Sequence, residues 1–475
     1  MKKISLFIVT IGLLVSCKKS ELDLYPYNQL ETTQAFNTEN DVNLALNGIY
    51  QGLRSAGSYY QGSWNIEFEV VSDNLILNQQ GRLSQQTFFN WQYTGNGTTG
   101  LFGNGYSIIR RANAILENID KVNSTAAFKN NVKGQALAVR AMVHFDLTRA
   151  YAKTYNNAVA GDSTVPYIVS TDATQMPSKE PVIGFYNKIV TDLTNAESLI
   201  GTTNGVGKIS KNAVQGLLSK VYLYMGDWDK TIAAATNSLG ASPAIGTLTT
   251  FPLIWTDGSE VGVLFKIKNT LTDNLNTLGV NYYQIVGGGI KSEYNVSWDF
   301  YQLFQAADIR KTAYTVQSAY NGSTYNHIVK YAGKTGFPAG VLDAKVLRSA
   351  EVLLNRAEAY ARKGGAANEA LALADLQLLK SNRYTGYVNE TFAGQALLDE
   401  IYLQRRLELA FEGDRFFDLK RRNLPVLRSA KGDKADGTGT AATFTTLAAG
   451  DYKFNFPLPQ SELNFNKNLT QVKGY

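Results

Sequence analysis

The residues best spaced for chemistry form one charged run, Gln404-Arg405-Arg406-Leu407-Glu408-Leu409-Ala410-Phe411-Glu412-Gly413-Asp414-Arg415-Phe416-Phe417-Asp418-Leu419-Lys420. On a helix, Arg405, Glu408 and Glu412 share one stripe while Leu403, Leu407 and Ala410 share another. Two carboxylates are what a glycoside hydrolase sets across its scissile bond. Here they are interleaved with Arg405, Arg406 and Arg415, and neighbouring cations keep a carboxyl ionised, which spoils a general acid and suits ion pairing. The expectation is a largely buried structural network of Arg405, Glu408, Glu412 and Arg415. Residues 348–360 repeat the logic: Glu351, Asn355 and Glu358 share a stripe beside an alanine-rich face. Glu351 and Glu358 are therefore expected to join the network from a facing helix.

Binding chemistry rests on aromatic rings. The chain has 27 Tyr and 5 Trp against 10 Pro, and it is rich in Asn, Thr and Gly. Sugar rings present apolar C–H faces that stack on aromatics, while their hydroxyls need amide, carboxylate and guanidinium partners. Trp64 and Trp91 in one stretch, and Tyr283, Tyr294 and Trp298 in another, are the candidate platforms, with Asp73, Arg82 and Asn96 as hydroxyl partners. No enzymatic fingerprint accompanies them: there is no nucleophile elbow, no phosphate loop, and no metal-ligand spacing around His144 or His327. No cofactor and no catalytic residue are expected.

The chain opens with Lys2-Lys3, a run of roughly ten apolar residues and then Leu14-Val15-Ser16-Cys17. That is the pattern of a bacterial secretory signal. Cleavage before Cys17 makes the chain's single cysteine the first mature residue, with a thiol free for acylation. The expectation is a lipoprotein attached at Cys17 and otherwise soluble, since no later run reaches about 18 apolar residues. One cysteine also excludes intrachain disulfides. The formal charge of +6 includes Lys2 and Lys3, and it is too small and dispersed for a nucleic-acid footprint.

Helices must position these groups. Apolar residues recur at helical spacing over 41–53, 106–119, 131–153, 181–200 and 211–225. Residues 55–105 and 251–331 have no sustained period and are dense in Gly, Asn and aromatics, so they read as irregular insertions, where binding loops belong. Tyr222 and Gly226 before Ala233-Ala234-Ala235 are echoed by Tyr360 and Gly364 before Ala370 and Leu371, a helix–turn–helix unit of tetratricopeptide type. The predicted fold class is mainly α, a tetratricopeptide-like helical-repeat scaffold with long irregular, loop-rich insertions.

In order, the lipid-bearing Cys17, the segments 106–113 and 134–141, residues 213–225 with Gly226-Asp227-Trp228, residues 347–360 and 405–420, Phe456-Pro457-Leu458-Pro459 and the terminal Gly474-Tyr475 resemble the SusD/RagB family of Bacteroidetes outer-membrane lipoproteins. The resemblance implies a signal peptide at 1–16, a lipid anchor and leader at 17–24, a SusD-like N-terminal region at 25–230 and a C-terminal region at 231–475 packed with it as one unit. It further implies a non-catalytic protein lipid-anchored in the outer membrane and facing outward. Such a protein captures oligosaccharide for a SusC-type TonB-dependent transporter, its partner. Two other readings stand beside it: a peptide-binding protein of the RagB kind, and a helical-repeat assembly factor.

Overall fold

The computed structural model describes residues 35–475 apart from 55–58, 203, 274 and 288. Helix α1 (Glu39–Arg54) buries Val42, Leu46, Ile49 and Leu53, one stripe at three- and four-residue spacing. It lies against α3 (Leu101–Asn118), which packs on α4 (Ala126–Tyr151), which packs on α5 (Val182–Leu199). Then come α6 (Lys211–Met225) and α7 (Trp228–Leu239), α8 (Ser349–Lys363) and α9 (Ala366–Ser381), and α10 (Gly394–Glu408). The α8 helix packs on α6, α7, α9 and α10, so the helix pairs stack side by side.

Local chemistry sets the joints. Thr125, Ser210 and Asp227 cap α4, α6 and α7 by accepting from the backbone N–H three residues on. Gly226, at φ +71°, makes the left-handed turn between α6 and α7 that a side chain would resist.

The two insertions differ from a sequence reading in an instructive way. Residues 63–70 form a helix, α2 (Ser63–Val70), whose eight residues are all buried, polar ones included, so no apolar stripe marks it. The α3 helix starts at Leu101, five residues before the expected start, because Leu101 and Phe102 are core residues and their packing overrides the weak helix propensity of Gly103 and Gly105. The second insertion supplies strands of three to six residues, and the longer ones do not alternate buried with exposed side chains, so no two-residue period marks them. Strands β1 (Leu75–Leu77), β5 (Tyr294–Val296), β7 (Ser323–Ile328) and β6 (Thr315–Tyr320) make an antiparallel sheet in that order. The two insertions are thus hydrogen-bonded to each other, Leu75 opposite Val296 and Leu77 opposite Tyr294. A hairpin of β3 (Gln284–Val286) and β4 (Gly289–Lys291) stands beside β6, and β2 (Val263–Ile267) pairs with β8 (Ala344–Arg348).

One core runs through the helices from Val42 to Val472. A second joins Ile66, Val70 and Leu75 to Phe251, Phe300, Tyr314 and Phe411, tying the insertions to the end of α10. No helix among the described residues is long and apolar enough to cross a membrane.

Candidate ligand face and the ion network behind it

The charged run is not one helix. It stops at Glu408, reverses through Leu409–Asp414 with Phe411 and Gly413 at positive φ, and resumes as α11 (Arg415–Arg421). A Cβ on Gly413 would stand 2.7 Å from the Trp64 carbonyl, and the Gly413 N–H donates to Glu69 Oε2 at 3.0 Å. Glu412 therefore leaves the stripe of Arg405 and Glu408 and enters the network from a turn.

Within that network Glu408 accepts from Arg348 Nη1 at 2.6 Å and from Arg383 Nε and Nη2 at 2.8 and 3.0 Å, with Arg310 at 3.6 Å. Burial alone would raise its carboxyl; Arg383, Arg348 and Arg310 overcome that and hold it far below the usual carboxylate range. A carboxyl so held is no general acid. Glu412 accepts from Arg348 Nη2 at 2.6 Å and Lys330 Nζ at 2.7 Å. Arg405 donates to Asn355 Oδ1 at 2.7 Å, pairs with Asp414 at 3.2 Å and stands 3.7 Å from Glu351, which takes Lys220 at 2.6 Å. Glu358 takes both Nη atoms of Arg421. Arg310, Arg348, Arg383 and Lys330 were not singled out from sequence. Arg348 heads the second charged pattern and was within reach, whereas Arg310, Lys330 and Arg383 stand alone in aperiodic stretches.

Four of the expected ligand residues are not at the surface. Trp64, 4% exposed, lies between Tyr59, Tyr60, Phe68 and Phe417, with the Arg149 guanidinium 4.7 Å from its ring. Trp91 donates Nε1–H to the Val71 carbonyl at 3.0 Å and is covered by Arg428, 3.8 Å from its ring; the same guanidinium lies 3.8 Å from Phe89. Burial pushes Arg428 down to about 9. Tyr294 is a buried β5 residue packed edge-on against Tyr282. Asp73 is a salt-bridge acid: Arg415 grips it at 2.8 and 2.9 Å and Arg406 stands at 3.3 Å, so two cations outweigh its burial and hold the carboxyl low. These rings and this carboxylate hold the molecule together, the ordinary fate of large side chains in a loop that must fold back on a core.

Trp298, Tyr283, Arg82 and Asn96 keep accessible surface. Trp298 begins the short helix Trp298–Tyr301, with Lys431 Nζ 5.6 Å from its ring. Gly437 approaches so closely that a Cβ there would be 3.1 Å from Cδ1 and Nε1. The 431–440 loop is fixed to the sheet: the Asp433 carboxylate accepts from the N–H groups of Gln79 (3.1 Å) and Thr440 (2.8 Å), and its carbonyl accepts from Asn295 Nδ2. Arg82 donates Nε–H to buried Glu293 at 2.7 Å while its side chain stays 54% exposed. Close by, Gln80 Oε1 accepts from Asn321 Nδ2 at 3.3 Å, and Tyr283 leads into the exposed β3–β4 hairpin. An indole, amides and a guanidinium thus hang on one small sheet, with Tyr283 on the separate hairpin beside it. Asn96 is apart from them, in a loop where Gly95 contacts Gln460 and Gln471 of the C-terminal segment. Neither histidine is free for proton transfer: burial pushes His144 down to about 3 and His327 to about 4. Cys17 lies outside the described residues.

A stacked helical scaffold, braced by buried ion pairs and carrying inserted loops on one small sheet, defines a scaffold-and-insertion protein. The family models that match are the SusD family over residues 275–475 and "Starch-binding associating with outer membrane" over residues 22–223. The SusD-like protein P2 of Formosa agariphila is 27% identical, aligned over 99% of each chain. A SusD superfamily protein of Bacteroides thetaiotaomicron superposes with a TM-score of 0.78 at 27% identity, over 92% of this chain and 99% of its own. The starch-binding protein SusD of the same organism is 31% identical over 137 residues, 28% of this chain and 22% of its own. The chain belongs to the SusD/RagB family, glycan-binding proteins associated with the outer membrane.

Proposed function

We propose that this protein is a non-catalytic, surface-displayed lipoprotein, acylated at Cys17, that captures oligosaccharide and passes it to a SusC-type TonB-dependent transporter. One observation carries the reading: β1 and β5 join the two insertions, so Arg82, just after β1, and Trp298, just after β5, are offered from one sheet beside the amides of Gln80 and Asn321, with Tyr283 at the start of the separate β3–β4 hairpin that stands beside β6. A ring for the apolar face of a sugar, with amides and a guanidinium for its hydroxyls, is the surface a glycan needs. The match to a starch-binding, outer-membrane family model and to SusD itself supports this reading.

Glu408 and Glu412, the carboxylate pair that the sequence offers for glycoside hydrolysis, are consumed by arginines and a lysine, which favours capture over hydrolysis. The test is calorimetric titration of the intact mature chain against neutral oligosaccharides, followed by product analysis of the same mixtures. Weak, saturable binding without cleavage is expected. Cleaved product, or peptide binding with no glycan binding, contradicts the proposal.

A further inference from the structure

A cavity of about 810 Å³, which none of Trp298, Tyr283 and Arg82 lines, lies between the segment after α4, the end of α11 and the C-terminal stretch. That volume suits a small oligosaccharide. Lys153, Lys179, Lys420 and Lys473 line it, against Asp162 and Asp451. Asp162 is taken by Lys153 at 3.0 Å, and Asp451 accepts the Lys453 N–H at 2.9 Å. Among the described residues no carboxylate comes within ion-pair distance of Lys179, Lys420 or Lys473.

Lys420 is the telling member. It is buried, its Nζ donates to the Arg149 carbonyl at 2.5 Å, and burial with the nearby Arg149 guanidinium pushes it well below its ordinary range. Burial lowers Lys179 as well. Burial favours the uncharged amine, and an anion brought beside it restores the ammonium. Thr154, 2% exposed, also lines the cavity with its Oγ1 unpartnered, and so does the Asn455 Oδ1 atom. Unsatisfied buried polar atoms at a cavity wall call for a partner that fills it. Tyr452, 39% exposed, offers a ring on the same wall.

We propose that this cavity is a second binding site, for a short oligosaccharide bearing an anionic group, carboxylate or sulfate ester, which Lys420 and Lys179 meet while Thr154 and Asn455 take hydroxyls and Tyr452 a sugar face. An anion there favours the protonated form of both lysines and accepts charge-assisted hydrogen bonds from them. The sugar part of the ligand rests on the proposed glycan-binding function; the charge preference rests on the lysines alone.

Calorimetry on the full mature chain in detergent tests it, using trigalacturonate, its fully methyl-esterified form, a sulfated disaccharide and inorganic sulfate. At least one charged sugar is expected to bind, with the ester weaker than the acid, or sulfate ion weaker than the sulfated sugar, by about tenfold or more. Lys420→Met and Lys179→Gln should each lose about tenfold, while Trp298→Ala should bind the charged sugar unchanged. Lys179 is partly exposed, so its variant keeps the test decisive if Lys420→Met folds poorly. Equal binding of acid and ester, inorganic sulfate binding as tightly as either charged sugar, or full affinity in Lys179→Gln overturns the proposal. Loss of neutral-glycan binding in Trp298→Ala alone bears on the other face and leaves this one standing.

Discussion

The Arg383 guanidinium clasps Glu408 through Nε to Oε2 at 2.8 Å and Nη2 to Oε1 at 3.0 Å, with both side chains wholly buried. Arg383 follows α9 and Glu408 closes α10, so the pair fixes the point from which the chain turns back through Phe411 toward α2. Glu408→Ala leaves Arg383 without a carboxylate, while Arg348 keeps Glu412 and Arg310 keeps Asp308, and breaking a buried pair from one side typically costs about 3–5 kcal/mol. Its denaturation midpoint should fall clearly. Lys363→Ala breaks an exposed pair with Asp229 and should cost under about 1 kcal/mol.

Trp64 gives a second stability prediction. Truncating a buried indole leaves a cavity and costs about 3–5 kcal/mol; here it also uncovers Arg149. Trp64→Ala should melt well below the parent, and any glycan affinity lost should return when binding is measured at a temperature where the variant is folded.

Two carboxyls supply a pH dependence. Glu67 and Glu69 are buried in α2, and burial pushes each up to about 7 from an ordinary 4.5. A carboxyl with a raised folded value contributes stability that is fully present below about 4.5 and lost as pH rises through about 7. Each accounts for a swing on the order of 3 kcal/mol. Glu67→Gln removes one such group, so its stability relative to the parent should climb between pH 5 and pH 8. The histidines, buried neutral and acting in the opposite sense at acid pH, cancel in that difference. A flat difference across the range contradicts the assignment.

Legibility followed periodicity. Helices α1 and α5 were readable because their buried positions recur at three and four residues, and the Gly226 turn because a left-handed residue serves there. The α2 helix was not, since a helix buried on every side has no polar face to break the pattern. The charged run was readable as ion-paired, although two of the arginines around Glu408, Arg310 and Arg383, have no local signal. The exposure of the aromatic rings was the least legible. An aromatic in an aperiodic loop looks the same in sequence whether it folds inward, as Trp64, Trp91 and Tyr294 do, or keeps a free face, as Trp298 does. Asp73 was misread for a related reason: Arg406 and Arg415 reach it from more than 300 residues away.

The anchor has its own test. A single acyl chain binds membranes marginally and additional chains bind far better, so a lipidated Cys17 should partition the protein with the outer membrane. Cys17→Ala should appear in the soluble fraction in high salt. Retention of that variant in the membrane would contradict acylation at Cys17 as the means of attachment.

The most direct measurement is the affinity of Trp298→Ala for the best neutral oligosaccharide found with the parent, taken by calorimetry on samples matched for melting temperature. An exposed indole stacked on a sugar contributes on the order of 1–2 kcal/mol at about 25 cal/mol per Å². The prediction is a loss of roughly tenfold or more with melting unchanged, and a smaller loss in Arg82→Ala. Binding by Trp298→Ala as tight as the parent's would contradict a glycan face on the β1–β5 sheet.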